Sequence, residues 1–309
     1  MKKCFAITGV SGYLGQLLAR RLLAAGHRVL GLDLNRPRNL AGIDFLQTDI
    51  INPKIDSALF QADVDTLIHL AFYTAPEGDR HAAQAVNIDG TKNILRAASR
   101  IGVRRLVMAS SAAAYGSHAD NPVPMTESQK LRANDYFYYS AHKAEQERLA
   151  GEFARAHPGT AVVILRPCAL IGPHINNPTG DSLKPSMLIY IRNEEPPLQF
   201  IHEDDAAQAF FLAATTDIEG TYNVAPNDQM TYPDLARLLH KKLLRLPFKV
   251  LSSLAAVGKW LGVSPVGPAT LSFIRHPLVL DASRFSQATG FRPTHDSRQA
   301  VLEFMNAQQ

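Results

Sequence analysis

The sequence predicts an α/β protein, in which a doubly wound parallel sheet is joined by a smaller, mostly helical part. Two observations predict this class. Short apolar runs with strand-like composition alternate with amphipathic helical patterns through the first half of the chain. These runs are apolar at almost every position, which is typical of parallel strands covered by helices on both faces.

Six strand-like runs lie in the first half of the chain. Their predicted ranges are 4–8, 27–33, 43–49, 65–72, 103–111 and 160–167. Helical periodicity between them predicts helices at 12–26, 81–102 and 138–157. The chain thus repeats a strand-helix unit, and such crossovers place successive strands in parallel.

The pattern changes after the sixth strand. Several prolines interrupt 168–199, which predicts a loop-rich segment with one short helix. A strand and then a helix are predicted over 198–216, with Asp204 or Asp205 as the helix cap. A further strand is predicted at 220–225.

Residues 231–309 have mostly helical patterns. The predicted division gives 1–168 to the domain that contains the sheet, and the chain returns to this domain at 200–228. The substrate-binding part is predicted to consist of 169–199 and 229–309. A ligand is expected between the two parts, because doubly wound sheets bind ligands at the carboxyl ends of their strands.

Composition limits the classes of function. The 309 residues are 46% hydrophobic and 19% charged, which is ordinary for a globular protein. The net charge is +4 and no basic run is interleaved with aromatic residues, so no nucleic-acid partner is expected. The two cysteines, Cys4 and Cys168, lie far apart, and no His/Cys cluster predicts a metal site.

The sequence also shows no targeting pattern. The N-terminus leads from Met-Lys-Lys directly into the first strand, without the apolar region and cleavage site of a signal peptide. No apolar run approaches the ~18 residues that a membrane-spanning helix needs. A cytoplasmic enzyme or binding protein without a membrane span is therefore expected.

A glycine-rich loop follows the first strand. In TGVSGYLG (8–15), Gly9, Gly12 and Gly15 have the spacing GxxGxxG directly before a helix. Glycines here let the chain turn tightly, let a pyrophosphate approach the backbone and let the helix pack closely on the sheet. Free N–H groups at the helix start then face the phosphates. The loop predicts a dinucleotide site, and ordinary turn glycines are the alternative.

Acidic residues end the next two strands. Asp33, 18 residues after Gly15, is placed to hydrogen-bond the adenosine ribose and to repel a 2′-phosphate, which favours NAD over NADP. Arg36 and Arg38 follow closely and are able to accept a 2′-phosphate, so NADP is the alternative. Asp49 is placed to reach the adenine, with a turn or capping role as the other interpretation.

Several tyrosines and a lysine lie at the start of one predicted helix. The stretch DYFYYSAHK (135–143) contains two pairs with i, i+4 spacing, Tyr138 with His142 and Tyr139 with Lys143. A free phenol has a pKa near ~10 and is a poor base at neutral pH. A lysine one turn away favours the phenolate, so Tyr139 is a candidate for proton transfer. We interpret the Tyr138 pair as packing.

Eight short motifs occur in order along the chain. They are TGVSGYLG (8–15), HLAFYTAP (69–76), NIDGTKNIL (87–95), SSAAAYG (110–116), YSAHK (139–143), RPCALIGP (166–173), FIHEDDAA (200–207) and TYNVA (221–225). Together they resemble the extended short-chain dehydrogenase/reductases, and among these the NAD-dependent epimerase/dehydratase family. The resemblance covers nearly the whole chain. It implies a Rossmann-like fold, NAD as the cofactor and a small-molecule substrate.

The resemblance also implies roles for particular residues. Tyr139 would be the general acid/base, and Lys143 would favour its phenolate and hydrogen-bond the nicotinamide ribose. Ser111, with Ser110 as a rival, would hold the substrate oxygen, and Asn87 would support the site. The implied cofactor contacts are Gly9, Gly12, Tyr13, Leu14, Gly15, Asp33, Asp49, Ile50, Leu70, Ala71, Lys143 and Pro167.

Many members of this family act on nucleotide sugars, so a nucleotide-sugar epimerase is the first expectation. Sugar dehydratases have an acidic pair where this chain has Ala112 and Ala113, so a dehydratase is not expected. The asparagine common after the sixth strand is absent from 166–169. Leu198 stands where an arginine commonly pairs with the diphosphate, a group that favours bidentate contacts.

Arg192 and Arg275 lie in substrate-side segments and could replace the missing diphosphate contacts. The alternative is an NAD(P)-dependent reductase or dehydrogenase of a smaller or more apolar carbonyl or alcohol. A third hypothesis is a dinucleotide-sensing regulator without chemistry. The presence of Ser111, Tyr139 and Lys143 disfavours it, because regulators commonly lose them.

Two helical segments bear on assembly and on the surface. Relatives often pair helices at about 87–100 and 139–156 across a two-fold axis, so a homodimer is expected. The second helix has an alanine-rich side, formed by Ala141, Ala144, Ala150 and Ala154. The apolar stretch 248–263 is expected to be core, with a pocket wall or a membrane-surface helix as alternatives.

Overall fold

The structure, a computed structural model, describes residues 3–74, 80–261 and 267–308. All strand pairs between named strands in these residues are parallel. The strands are β1 (Cys4–Thr8), β2 (Arg28–Asp33), β3 (Asp44–Gln47), β4 (Thr66–His69), β5 (Arg105–Ala109), β6 (Ala161–Pro167), β7 (Ala169–Ile171), β8 (Met187–Ile191), β9 (Phe200–His202), β10 (Gly220–Val224) and β11 (Lys242–Leu246).

The helices cover both faces of the sheet and form most of the C-terminal part. They are α1 (Tyr13–Ala24), α2 (Ile55–Gln61), α3 (Arg80–Gln84), α4 (Thr91–Ile101), α5 (Tyr138–Ala156), α6 (Pro178–Leu183), α7 (Glu203–Thr215), α8 (Tyr232–Leu238), α9 (Phe248–Trp260), α10 (Pro268–Phe273), α11 (Ser283–Thr289) and α12 (Ser297–Asn306). No helix in the described residues is both long and apolar enough to cross a membrane.

Within the described ranges, seven strands form the central sheet, in the order β10-β6-β5-β4-β1-β2-β3. The strand order reverses beside β1, which is the switch point where doubly wound sheets bind their ligands. The predicted fold class, a Rossmann-like doubly wound parallel sheet with a mostly helical C-terminal part, is confirmed.

The apolar runs form strands that are buried on both faces. In β1, Phe5 and Ile7 pack into the core beneath α1 and α7, whereas Cys4 and Ala6 pack into the core beneath α2, α4 and α5. Successive side chains of a strand point to opposite faces, so both sets must be apolar. Because β1 is held in the core on both faces, its carboxyl end and the glycine loop that follows it have a fixed position at one edge of the sheet.

Three short strands, β7, β8 and β11, lie where the sequence predicts loops or helices. β7 pairs with β9, and β8 pairs with β11. Prolines around β8 obscured its strand pattern, and the lysine, arginine and leucines of β11 are good helix formers. Tertiary pairing overrides these local preferences. Around the two pairs lies a third core that includes Leu188, Phe200, Met230 and Phe304.

The helix predicted at 81–102 is present with one irregularity, whereas the predicted cap of α7 is wrong. The helix predicted at 81–102 contains a π-helical turn, Ala85–Gly90, between α3 and α4. The cap of α7 is His202, whose Nδ1 accepts the N–H of Asp204 at 3.2 Å, and is neither Asp204 nor Asp205. Asp205 instead accepts hydrogen bonds from Thr294.

Two predicted surfaces also differ from expectation. Ala150 is buried in the core of its own chain and Ala154 packs against that core, so the alanine-rich side of α5 is only partly free for a partner. The expectation that 248–263 is core is wrong for one face of α9, where Leu254 and Val257 are exposed. Residues 262 and 263, like residues 75 and 76 of the HLAFYTAP motif, lie outside the described ranges.

Candidate active site

Two glycines of the loop lie where backbones approach closely. Gly9 has a φ of +72°, and a Cβ atom there would lie 2.8 Å from the backbone nitrogen of Ala71. A Cβ atom on Gly15 would lie 2.8 Å from the Cα of Val10, so α1 packs against the loop itself. Any side chain would force these segments apart. The loop therefore lies directly against Leu70 and Ala71, at the end of β4.

The start of α1 can receive an anionic group. Gly12 caps the helix without a side-chain acceptor, and the first turn contains no acidic residue. The first backbone N–H groups of the helix, including those of Tyr13 and Leu14, lack intrahelical partners. These donors and the helix dipole favour an anion here. The loop and the helix start together fit the pyrophosphate of a dinucleotide.

Asp33 lies at the end of β2, beside the glycine loop. Its carboxylate accepts the N–H of Ser11 at 2.9 Å and the N–H of Asn35 at 3.4 Å. The side chain is partly exposed, so its oxygens retain acceptor capacity for ribose hydroxyls. Arg36 and Arg38 are exposed close by in the chain. Both the acid that suits NAD and the cations that suit NADP are present.

The other predicted cofactor contacts have local structural roles as well. The Asp49 carboxylate accepts the N–H of Ile51 at 3.1 Å, which is a turn contact. Ile50 is buried, and its side chain fills the space above Gly90. Pro167 ends β6. The turn contact accounts for Asp49 without a ligand, so its contact with an adenine stays a prediction.

The Tyr139 ring lies in a group of aromatic rings at the start of α5. Its centre is 5.2 Å from that of Phe72 in an edge-to-face arrangement and 6.1 Å from that of Phe137. Burial raises the pKa of the Tyr139 phenol, and a hydrogen bond with Ser111 lowers that pKa by less. The structure thus places Ser111 on the phenol that the sequence predicts as the general acid/base.

The two neighbouring serines have different partners. Ser110 is buried and donates its hydroxyl proton to the carboxylate of Glu147, behind the site. Ser111 accepts the N–H of Ala113 at 3.1 Å and begins the 3₁₀ turn Ala112–Tyr115. Glu147 in turn forms a buried ion pair with Arg166, with 2.6 Å between their closest atoms. Ser110 therefore belongs to the structural support of the site, and Ser111 faces Tyr139.

Lys143 is buried one helical turn after Tyr139. Its Nζ donates to the carbonyl oxygen of Ala109 at 2.7 Å and to Oε1 of Gln146 at 3.3 Å, and lies 3.8 Å from the centre of the Phe72 ring. Burial lowers the pKa of Lys143 to about 7, although the nearby Glu147 raises it in part. A lysine with this pKa exchanges its proton near neutral pH.

A buried polar network connects the loop after β4 to α5. The Asn87 side chain accepts the N–H of Tyr73 at 2.7 Å and donates to the Tyr73 carbonyl at 3.2 Å and to Nδ1 of His142 at 3.2 Å. Gln146 donates to the Asn87 carbonyl at 3.0 Å. The His142 ring packs edge-on against Tyr138 at 5.5 Å. Asn87 thus has the position expected of a supporting residue.

Sequence reasoning missed several side chains around Tyr139 and Lys143. Phe72 contacts both of them, and Gln146 and Glu147 set the surroundings of the lysine. Gln146 and Glu147 lie three and four residues after Lys143, a helical spacing that would have indicated contact. Phe72 has no such signal, because its contact depends on how the loop after β4 folds.

A doubly wound sheet with this glycine loop and a serine-tyrosine-lysine group defines the class of nucleotide-dependent oxidoreductases. The profile of the NAD dependent epimerase/dehydratase family matches residues 5–225. The chain belongs to this family, and NAD is the cofactor for which the family is named.

Several known proteins are similar over most of the chain. An uncharacterised protein of Mycobacterium tuberculosis is 25% identical over 312 residues, which cover 98% of this chain and 83% of the relative. The 2-alkyl-3-oxoalkanoate reductase of Shewanella oneidensis is 27% identical over 218 residues, covering 67% of this chain and 56% of the reductase. The UDP-glucose 4-epimerase of Thermus thermophilus, solved with NAD, has a TM-score of 0.76 at 22% identity, with 98% and 99% of the two chains covered.

Proposed function

We propose that the protein is an NAD(P)-dependent reductase or dehydrogenase that acts on an apolar carbonyl or alcohol. The observation that carries this proposal is the aromatic lining next to Tyr139. Besides Phe72, the Phe137 ring lies beside Tyr139, and it also packs on Phe273 of α10 at 4.4 Å between ring centres. Apolar walls with a few placed polar groups are typical of sites for apolar small molecules.

Arg275, one of the two candidate diphosphate contacts, supports the same choice over a nucleotide sugar, whereas the other, Arg192, is exposed. Arg275 is paired with Glu194, with 2.6 Å from Nε to the carboxylate, and its guanidinium lies 4.1 Å from the centre of the Phe248 ring. These contacts occupy the Nε and Nη2 donors, one of the edges through which a guanidinium binds a diphosphate in bidentate fashion. Leu198 packs against the third core and presents no charge. The similarity to an alkyl-oxoalkanoate reductase is a further support.

The chain's own residues supply the proton chemistry. When bound, the nicotinamide cofactor supplies or accepts a hydride. In the reducing direction, the hydride adds to the carbonyl carbon and Tyr139 gives its phenolic proton to the oxygen, so that a C=O bond becomes an alcohol. Ser111 holds that oxygen by a hydrogen bond, and Lys143, in its ammonium form, stabilises the phenolate left behind. In the reverse direction each transfer runs backwards.

A substrate panel tests the proposal. Purified protein with NADH or NADPH is mixed with alkyl and aryl ketones, and the nicotinamide absorbance is followed; UDP-, GDP- and dTDP-sugars are tested in parallel by thermal shift. We expect consumption of reduced cofactor with an apolar ketone. The variant Phe273→Leu should raise KM several-fold with kcat nearly unchanged, because part of the apolar contact is lost.

The opposite pattern would contradict the proposal. If a nucleotide sugar stabilises the NAD-loaded protein and is epimerised without net release of NADH, the protein is an epimerase.

A homodimer and a cytoplasmic location stay predictions. Sedimentation would test the first, and cell fractionation would test the second.

A further inference from the structure

An apolar stripe is exposed along α9. It consists of Val250, Leu254 and Val257, together with Leu261 directly after the helix, and their exposed fractions are 46%, 57%, 54% and 57%. Their spacing of four, three and four residues places them on one face of the helix. Trp260, beside this α9 stripe, is 84% exposed.

α9 is held by its contact with α10 and by contacts at its first residue, so the exposed stripe belongs to an anchored helix. α9 packs against α10. At its start, Phe248 lies under the guanidinium of Arg275, and Arg275 is held by Glu194. An anchored amphipathic helix with an open apolar face is typical of a docking surface.

The chain segment that contains α9 is rich in cations, and the acid beside it, Glu194, is already paired with Arg275. The segment 235–280 contains seven lysines and arginines and no aspartate or glutamate. Lys242, Arg245 and Lys249 are exposed, and none of the three has an acidic partner among the described residues. A second copy of the chain on this face would bring these cations together, which disfavours a symmetric dimer. An anionic surface complements them.

We propose that α9 docks the protein on the surface of an anionic lipid bilayer. The helix would lie in the plane of the interface, with the α9 stripe among the acyl chains and the cations at the lipid headgroups. Trp260 suits the boundary between the two, where one part of the indole ring is wet and the other is apolar. The proposal goes beyond the reaction and does not depend on the substrate.

The docking face is next to the candidate active site. α10, which packs against α9, contributes Phe273 to the aromatic lining, and Phe273 connects through Phe137 to Tyr139. The α9–α10 pair thus connects the proposed docking face with the rings that lead to Tyr139. A bilayer at this position would place the site close to molecules dissolved in it.

Trp260 is the sequence's single tryptophan, so intrinsic fluorescence reports directly on the proposed surface. The full chain is titrated with vesicles of phosphatidylcholine alone and with phosphatidylglycerol added. We expect a blue shift and co-sedimentation with the anionic vesicles only, both reversed by salt. Lys242→Gln and Lys249→Gln should each weaken partitioning about five-fold.

A polar substitution in the stripe separates docking from general charge attraction. Leu254→Gln should weaken partitioning by about ten-fold or more, because its apolar contact with the acyl chains is lost. The matched control is Phe60→Gln, since Phe60 of α2 is 72% exposed elsewhere on the surface. Its partitioning should equal that of the parent protein.

Two results would overturn the proposal. One is the absence of both the blue shift and co-sedimentation with anionic vesicles, in protein that is shown to be folded by circular dichroism. The other is a blue shift that grows with protein concentration in the absence of vesicles, which would assign the α9 stripe to a contact between copies of the chain.

Discussion

Replacing Lys143 by methionine should reveal how strongly the site opposes a buried charge. Burial lowers the pKa of Lys143 from 10.5 to about 7. At about 1.4 kcal/mol for each pH unit, the folded protein disfavours the ammonium form of Lys143 by about 5 kcal/mol. Methionine has a similar length and no charge, but it leaves the Ala109 carbonyl without its donor, which costs about 1–3 kcal/mol.

The sign of the pH dependence follows from proton binding. The unfolded chain holds the Lys143 proton up to a pH of about 10.5, whereas the folded chain releases it near a pH of about 7. Between these values the unfolded state binds more protons, so the free energy of unfolding of the parent protein rises with pH. The Lys143→Met variant lacks this rise. It should be more stable by about 2 kcal/mol or more at a pH of about 6, and should lose this advantage by about 1.4 kcal/mol per pH unit above about 7.

Urea denaturation of the nucleotide-free protein and the variant, at a series of pH values between about 6 and 9.5, measures this difference. Comparing the two proteins cancels the titration of groups that do not interact with Lys143. A stability difference that stays constant over the whole range would refute the reasoning, because Lys143 would then titrate alike in the folded and unfolded chains.

Three further substitutions have defined outcomes. Gly15→Ala should lower NAD affinity by about ten-fold or more in calorimetry, because the added Cβ displaces α1 from the loop; unchanged affinity would contradict this. Asp33→Ser should raise the ratio of NADP to NAD affinity by about ten-fold, since it removes a charge that repels the 2′-phosphate; an unchanged ratio in kinetics with both cofactors would contradict it. Glu147→Gln should lower the free energy of unfolding by about 3–5 kcal/mol, because Arg166 stays buried without its partner, whereas the exposed control Glu152→Gln should cost less than about 1 kcal/mol.

The parts of the fold that the sequence predicts are those where local pattern and tertiary burial agree. β1 is apolar at every position because Phe5 and Ile7 face one core while Cys4 and Ala6 face the other. The α9 segment shows the limit of such patterns. Apolar residues at helical spacing predict an amphipathic helix, but they do not say whether its apolar face, such as that of Leu254, meets protein or solvent.

The candidate site likewise has residues whose contacts follow from sequence spacing and residues whose contacts do not. Tyr139 and Lys143 share one helix, so their contact follows from i, i+4 spacing. The choice between Ser110 and Ser111 depends on which direction each side chain takes after β5, and the sequence leaves both open. Phe72 reaches Lys143 only through the path of a loop, where neither helical nor strand periodicity applies.

The central assignment, that Tyr139 transfers the proton, is tested most directly by Tyr139→Phe. Single-turnover hydride transfer and NAD affinity are measured on the variant and on the control Tyr136→Phe, a residue that is 44% exposed. We expect Tyr139→Phe to keep its fold and NAD affinity while hydride transfer falls by about 10²–10⁴-fold, and we expect the control to match the parent protein. A Tyr139→Phe variant with full turnover would contradict the assignment.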